Sequence, residues 1–154
     1  MVFNKAKWIW VEEQSLPDTY GEFFNEFTWE DGEAICRLSC DSDYTLYING
    51  KFVASNQYGD FEWYKSYDTI DVTPYLTKGK NTIAVLVWHF GVDTQRYLKA
   101  QAGLIFEILQ GDKVLLASDE NTADEVFTVA VTLFSSPSSI SFSSTESPTS
   151  LSKL

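Results

Sequence analysis

The run Tyr44-Thr-Leu-Tyr-Ile-Asn49-Gly50-Lys-Phe-Val-Ala54 constrains the fold more than any other stretch of the chain. Asn-Gly between two strand-like segments supplies the positive φ angles of a type I′ turn, so a β-hairpin is predicted here. Tyr44, Leu46 and Ile48 then share one face, with Thr45 and Tyr47 on the other. The same alternation predicts strands over residues 23–29 and 33–40, joined by a turn at Glu30, Asp31 and Gly32. Ala34, Cys36, Leu38 and Cys40 fall on one face of the second strand, and Ile35, Arg37 and Ser39 on the other. Residues 103–109 and 113–117 form a further hairpin across Gln110-Gly111-Asp112. Residues 81–88 are nearly all apolar, which predicts a central strand buried on both faces. Asp71-Val-Thr-Pro74-Tyr-Leu76 fits one short helical turn with Pro near its start. Short strands with frequent turns and no long amphipathic helix predict an all-β protein of the β-sandwich type.

Two stretches break the pattern. Residues 55–69 are polar and aromatic and exceed an ordinary hairpin loop, and residues 92–102 carry no periodicity; loops of this kind hold function more often than tight turns do. A third change comes late. Ten of the twenty residues 135–154 are Ser, so the chain divides into a sandwich domain over residues 1–122 and a divergent tail over 123–154 that is expected to be disordered. The tail reads either as a linker or as out-of-frame translation.

Charge and composition remove several functions. With 22 acidic and 11 basic residues the net charge is −11, whereas nucleic-acid binding needs a clustered Lys/Arg surface. No apolar run is long enough to span a membrane and the start has no signal-like core, so no membrane partner and a cytoplasmic location are expected. Cys36 and Cys40 on one extended strand lie about 13 Å apart, beyond disulfide reach. Both are expected to be small buried residues. Aromatics make up 16% of the chain, which suits both strands and sugar-stacking surfaces.

Glycoside hydrolysis needs two carboxylates about 5 to 9.5 Å apart, one held protonated. No spacing among the acids singles out such a pair, and no catalytic residue is assigned. His89, the only histidine, reads as a strand-end residue hydrogen-bonded to a neighbouring loop. A sugar site asks for a flat aromatic and planar polar side chains. Tyr58, Asp60, Glu62, Trp63 and Tyr64 supply both in the first long loop, and His89, Asp93, Gln95, Arg96 and Tyr97 in the second. If the loops share one end of the sandwich they form a single cleft; otherwise their aromatics cover the core or a neighbouring domain. Asp41, Asp43, Asp60 and Glu62 offer oxygens to a calcium ion, although no EF-hand spacing is present. No cofactor is required and no metal-binding residue is assigned.

The ordered set Ser42-Asp-Tyr-Thr-Leu-Tyr-Ile-Asn-Gly-Lys51, Trp63-Tyr64, Tyr67-Asp68, Asp71-Val-Thr-Pro74-Tyr-Leu76, Gly79-Lys-Asn81 and Ile83-Ala-Val-Leu-Val-Trp-His-Phe-Gly91 resembles the N-terminal domain of bacterial α-L-rhamnosidases. Lys7-Trp-Ile-Trp10 and Gly103-Leu-Ile-Phe-Glu-Ile108 fall where that family has similar features. Tyr-Ile-Asn-Gly also resembles the jelly-roll sugar-binding domains of β-galactosidase-type enzymes. The resemblance implies a jelly-roll, galactose-binding-like β-sandwich placed ahead of a helical catalytic barrel, and hence a chain that is a fragment of such an enzyme. It further implies a non-catalytic carbohydrate-binding or ancillary module, in some cases binding rhamnose with calcium. Its partners would be a rhamnose-containing glycan and the catalytic domain of a glycosidase.

Overall fold

In the computed structural model the predicted turns become the joints of nine strands: β1 (Thr19–Trp29), β2 (Ile35–Asp41), β3 (Asp43–Ile48), β4 (Lys51–Gln57), β5 (Asp68–Asp71), β6 (Gly79–His89), β7 (Gly103–Gln110), β8 (Lys113–Ala117) and β9 (Ala123–Phe127). The expected short helical turn is a 3₁₀ turn at Thr73–Tyr75, with Pro in its first residues. The structure describes residues 3–11, 16–59 and 61–127, the side chains of residues 57 and 123–127 excepted.

The strands form two sheets, ordered β4-β3-β6-β1-β9 and β5-β2-β7-β8, and every pairing within them is antiparallel. Between them lies the core the alternation predicts. Cys36, Leu38 and Cys40 of β2 and Leu104, Phe106 and Ile108 of β7 face Phe23, Tyr44, Leu46, Ile48, Ile83, Val85 and Val87. Each fully buried Leu, Ile or Phe contributes about 1.5–3 kcal/mol relative to exposure, so this cluster is the main stabilising term. Both thiols are free and buried, and burial pushes the Cys36 thiol up to about 12.

Two expectations need correction. β6 is central by pairing, between β3 and β1, but only one of its faces is buried. Ile83, Val85 and Val87 face the core, whereas Thr82, Ala84, Leu86 and Trp88 are half-buried. They lie on the sheet's outer face, where cross-strand neighbours such as Tyr20, stacked on Trp88 at 5.9 Å, give partial cover. The strand buried on both faces is β7. Backbone amides of the N-terminal segment close over its outer side, with Lys5 and Ala6 donating to Glu107 Oε1, and Ile9 pairs with Leu104 at its edge. The second difference is β9. It pairs along β1, with Ala123 opposite Phe24 and Phe127 opposite Tyr20, in a stretch whose composition reads as tail. Backbone pairing satisfies an open strand edge whatever the side chains are. The expectation for residues 128–154 lies outside the described residues.

The two ends of the sandwich differ. One end is built from tight connections at Gly32, Asn49-Gly50, Gly79 and Gly111, each in the positive-φ region. Asn49 (φ 51°) and Gly50 (φ 72°) form the predicted hairpin turn. The Asn49 amide also donates to Tyr75 O at 3.0 Å and to Asn81 Oδ1 at 2.8 Å, and its own oxygen accepts from Thr82 N at 2.9 Å. Asn81, 1% exposed, accepts from Thr77 N at 2.8 Å and donates to Thr77 O at 2.7 Å and Gly79 O at 2.9 Å. Removing that amide strands several polar groups, so Asn81→Ala is expected to cost about 2–3 kcal/mol. Urea unfolding followed by tryptophan fluorescence measures it, and an unchanged midpoint would show that the network is dispensable.

Candidate functional site

Strand register brings both long loops to the opposite end. Asp43 pairs with Gln57 of β4 and Trp88 of β6, Thr19 pairs with His89, and Asp41 pairs with Gly103 of β7. Residues 58–67 leave from β4, residues 90–102 lead into β7, and residues 16–18 enter β1, all on this side. The two loops touch closely enough that a Cβ at Gly59 would come within 2.5 Å of Arg96 O.

At their junction lies a buried carboxylate. Asp41, at the end of β2 and 1% exposed, accepts from the Tyr97 hydroxyl at 2.6 Å and from His89 Nδ1 at 2.8 Å on one oxygen. Lys65 Nζ donates to the other at 3.0 Å. Burial alone would push the Asp41 carboxyl up, but hydrogen bonds from His89, Tyr97 and Lys65, with the Lys65 charge, outweigh it and hold the carboxyl below its ordinary 3.8. An ionised Asp41 only accepts, so His89 Nδ1 carries the proton. Burial first, and then the bond to Asp41, raise the Tyr97 phenol. The chain can pass His89 only because residue 91 is glycine. Gly91 has φ +69°, and a Cβ there would sit 2.8 Å from His89 Nε2 and 2.7 Å from Pro17 Cα.

Two clefts flank this carboxylate, and both loops wall both of them. The larger, about 550 Å³, is lined by Ser42, Tyr58, Gly59, Trp88, Phe90 and residues 94–97. The smaller, about 320 Å³, is lined by Trp8, Ile9, Trp10, Glu62, Lys65 and residues 100–102. Both volumes fall in the range of small-molecule sites. Each combines indole or phenyl surface with planar polar groups: Trp88 and Phe90 with Gln95 and Arg96 in one, Trp8 with Glu62 and Gln101 in the other. Glu62 is the one carboxylate among the lining residues of the two clefts.

The residues singled out from sequence therefore separate into groups. Gln95 and Arg96 are exposed in the larger cleft and Glu62 in the smaller. Trp63 and Tyr64 stand out from a turn closed by Phe61 and Tyr64, at 80% and 70% exposure. Tyr58, His89 and Tyr97 are buried. Tyr58 donates to Leu38 O at 3.2 Å, and the other two bind Asp41, so these three hold the loops rather than offer a stacking face. His89 is thus bonded to a strand end, Asp41, in place of the expected loop. Asp93 accepts from Lys99 N at 2.7 Å within its own loop, and Asp60 lies outside the described residues. Sequence reasoning missed Trp8, Trp88, Phe90 and Gln101 as lining residues and Asp41 as the junction; the aromatic density of Lys7-Trp-Ile-Trp10 was the available signal for Trp8.

Asp41 spends its oxygens on Lys65, His89 and Tyr97, and among the described residues no group of three or more His, Cys, Asp or Glu side chains gathers as a metal site.

No family model and no curated protein matches the chain. Solved structures do. The GH78 family rhamnosidase of Bacillus sp. GL1 superimposes with a TM-score of 0.74 at 34% identity, over 79% of this chain and 13% of that one. The Streptomyces avermitilis α-L-rhamnosidase, solved with L-rhamnose, gives 0.59 at 22% identity over 78% of this chain and 12% of that one. The Dictyoglomus thermophilum α-L-rhamnosidase gives 0.57 at 23%, over 70% and 13%. The latter two share the fold, and this chain spans about an eighth of the length of each of the three.

The Asp41 cluster sets a pH dependence. Its folded-state carboxyl is depressed, so the stability it adds is present above the ordinary value and is lost as pH falls through the lowered one. Asp41→Asn is expected to cost about 3 kcal/mol at pH 7, where Lys65 loses its buried partner, and the gap to the unsubstituted protein should narrow below pH 4. Urea titrations at pH 7 and pH 3 check this, and a gap independent of pH would refute the account.

Proposed function

We propose that this chain, which resembles the N-terminal β-sandwich domain of the α-L-rhamnosidases, serves as a non-catalytic carbohydrate-binding module whose ligand is a rhamnose-containing glycan. The observation that carries this is the larger cleft. It offers the Trp88 and Phe90 rings to the apolar face of a sugar and the Gln95, Arg96 and Thr94 side chains to its hydroxyls, and none of its lining residues is acidic. Hydrolysis by paired carboxylates has no footing there. The net charge of −11 favours a neutral glycan over an acidic one.

A second role, packing on the catalytic domain of a longer enzyme, is favoured by the protruding Trp63 and Tyr64 and by Phe24 and Phe52, exposed on the five-stranded sheet. Such a surface should make the isolated chain self-associate. Sedimentation of a clean monomer at rising concentration would count against it.

Calorimetry with L-rhamnose tests the principal reading. Binding is expected, and Arg96→Ala, an exposed substitution, should weaken it by about tenfold, equivalent to about 1.4 kcal/mol. Absence of heat with L-rhamnose and with rhamnose oligosaccharides alike would overturn it.

A further inference from the structure

We infer that the smaller cleft is a second sugar subsite, so that the module recognises a neutral oligosaccharide lying across the Asp41 junction rather than a single terminal residue. This rests on the carbohydrate-binding reading of the larger cleft and adds a site to it.

The two clefts are built from the same two loops. Residues 58 and 59 of the first and 94–97 of the second line one; Glu62, Lys65 and residues 100–102 line the other. Between them stand Tyr97 and Lys65, bonded to the two oxygens of one carboxylate, so a single carboxylate links the wall of one cleft to the wall of the other. Tyr97 faces the first and Lys65 the second. A single sugar ring cannot fill both.

The smaller cleft repeats the chemistry that suits a sugar. Trp8 is 48% exposed and is braced from behind, because a Cβ at Gly103 would come within 2.9 Å of its ring. Glu62 and Gln101 present planar acceptors and donors beside it. Next to Glu62, Trp63 stacks on Phe61 with centroids 5.0 Å apart and planes inclined by 12°. One face of Trp63 is thereby fixed and the other stays open to solvent. An aromatic ring held by a stacked neighbour, one residue along the chain from a residue that lines the cleft, is a stacking platform whose immobilisation does not have to be supplied on binding. The charge on Lys65 is matched by Asp41, so the cleft does not call for an anionic ligand.

The test is calorimetry on the whole chain with L-rhamnose and with rhamnose di-, tri- and tetrasaccharides. Affinity should rise at least tenfold from the monosaccharide to the tetrasaccharide. Gln101→Ala and Trp8→Ala should abolish that rise while leaving the L-rhamnose affinity unchanged, whereas Arg96→Ala should weaken binding of every ligand. Gln101 is exposed, so its variant guards against a folding defect in the Trp8 one. Equal affinity for rhamnose and the tetrasaccharide, or variants that weaken both ligands equally, would overturn the second subsite while leaving the first intact. No binding of any of these sugars would overturn both.

Discussion

The functional end of this sandwich depends on the carboxylate of Asp41. Ordering backbone costs about 1–2 kcal/mol per residue, and two long loops with few apolar residues inside the core have little with which to offset it. Asp41 gathers donors from a strand end and from each loop: His89, Lys65 and Tyr97. Hydrogen bonds to an ionised acceptor are shorter and stronger than neutral ones, and three on one carboxylate replace the water it loses on burial. The Phe90 ring against Tyr97 at 5.7 Å and the Ser39 hydroxyl on Ser66 O at 2.6 Å then fix what the carboxylate has brought together.

The other end solves the same problem with backbone geometry. There the connections are short and closed by residues in the positive-φ region, so little chain has to be ordered. Asn49 shows how one residue serves several layers. It adopts the turn conformation, and its amide joins the hairpin to β6 and to the 3₁₀ turn through Thr82, Asn81 and Tyr75. A rigid end of this kind supports longer, more variable loops at the opposite end, which is where binding surfaces arise in sandwich folds.

What the sequence makes legible follows the range of the interactions involved. The Asn49-Gly50 hairpin, the alternation in β2 and β3 and the β7 to β8 hairpin are decided by neighbours, and the sheets contain them as expected. The buried faces of β6 and β7 are decided by what packs on the outside, so a continuous apolar run could not say which strand was covered twice. β9 is held by backbone pairing to β1 and has no side-chain pattern to announce it. The Asp41 cluster is the least legible part. Its partners lie 24, 48 and 56 residues away in sequence, and aspartate at a strand end is ordinarily solvated. The two loops could be recognised as special from length and composition, and their residues could be named as a pool, but which rings turn inward depended on this carboxylate.

That division bears on which chemistry the described residues of this end present. A general acid for glycoside hydrolysis needs a carboxyl held protonated, as burial against apolar surface does when nothing donates to it. Asp41 is buried, yet its three donors drive it the other way, towards the ionised form. It also sits behind Tyr97 and Lys65 rather than in either cleft. Glu62, the carboxylate that does reach a cleft, is exposed and has no second carboxylate among the lining residues to act with it. The described residues of this end present stacking surfaces and hydrogen-bonding groups. The same bonds that ionise Asp41 hold the two loops, and with them Arg96 and Gln101, beside Trp88 of β6 and Trp8 of the N-terminal segment.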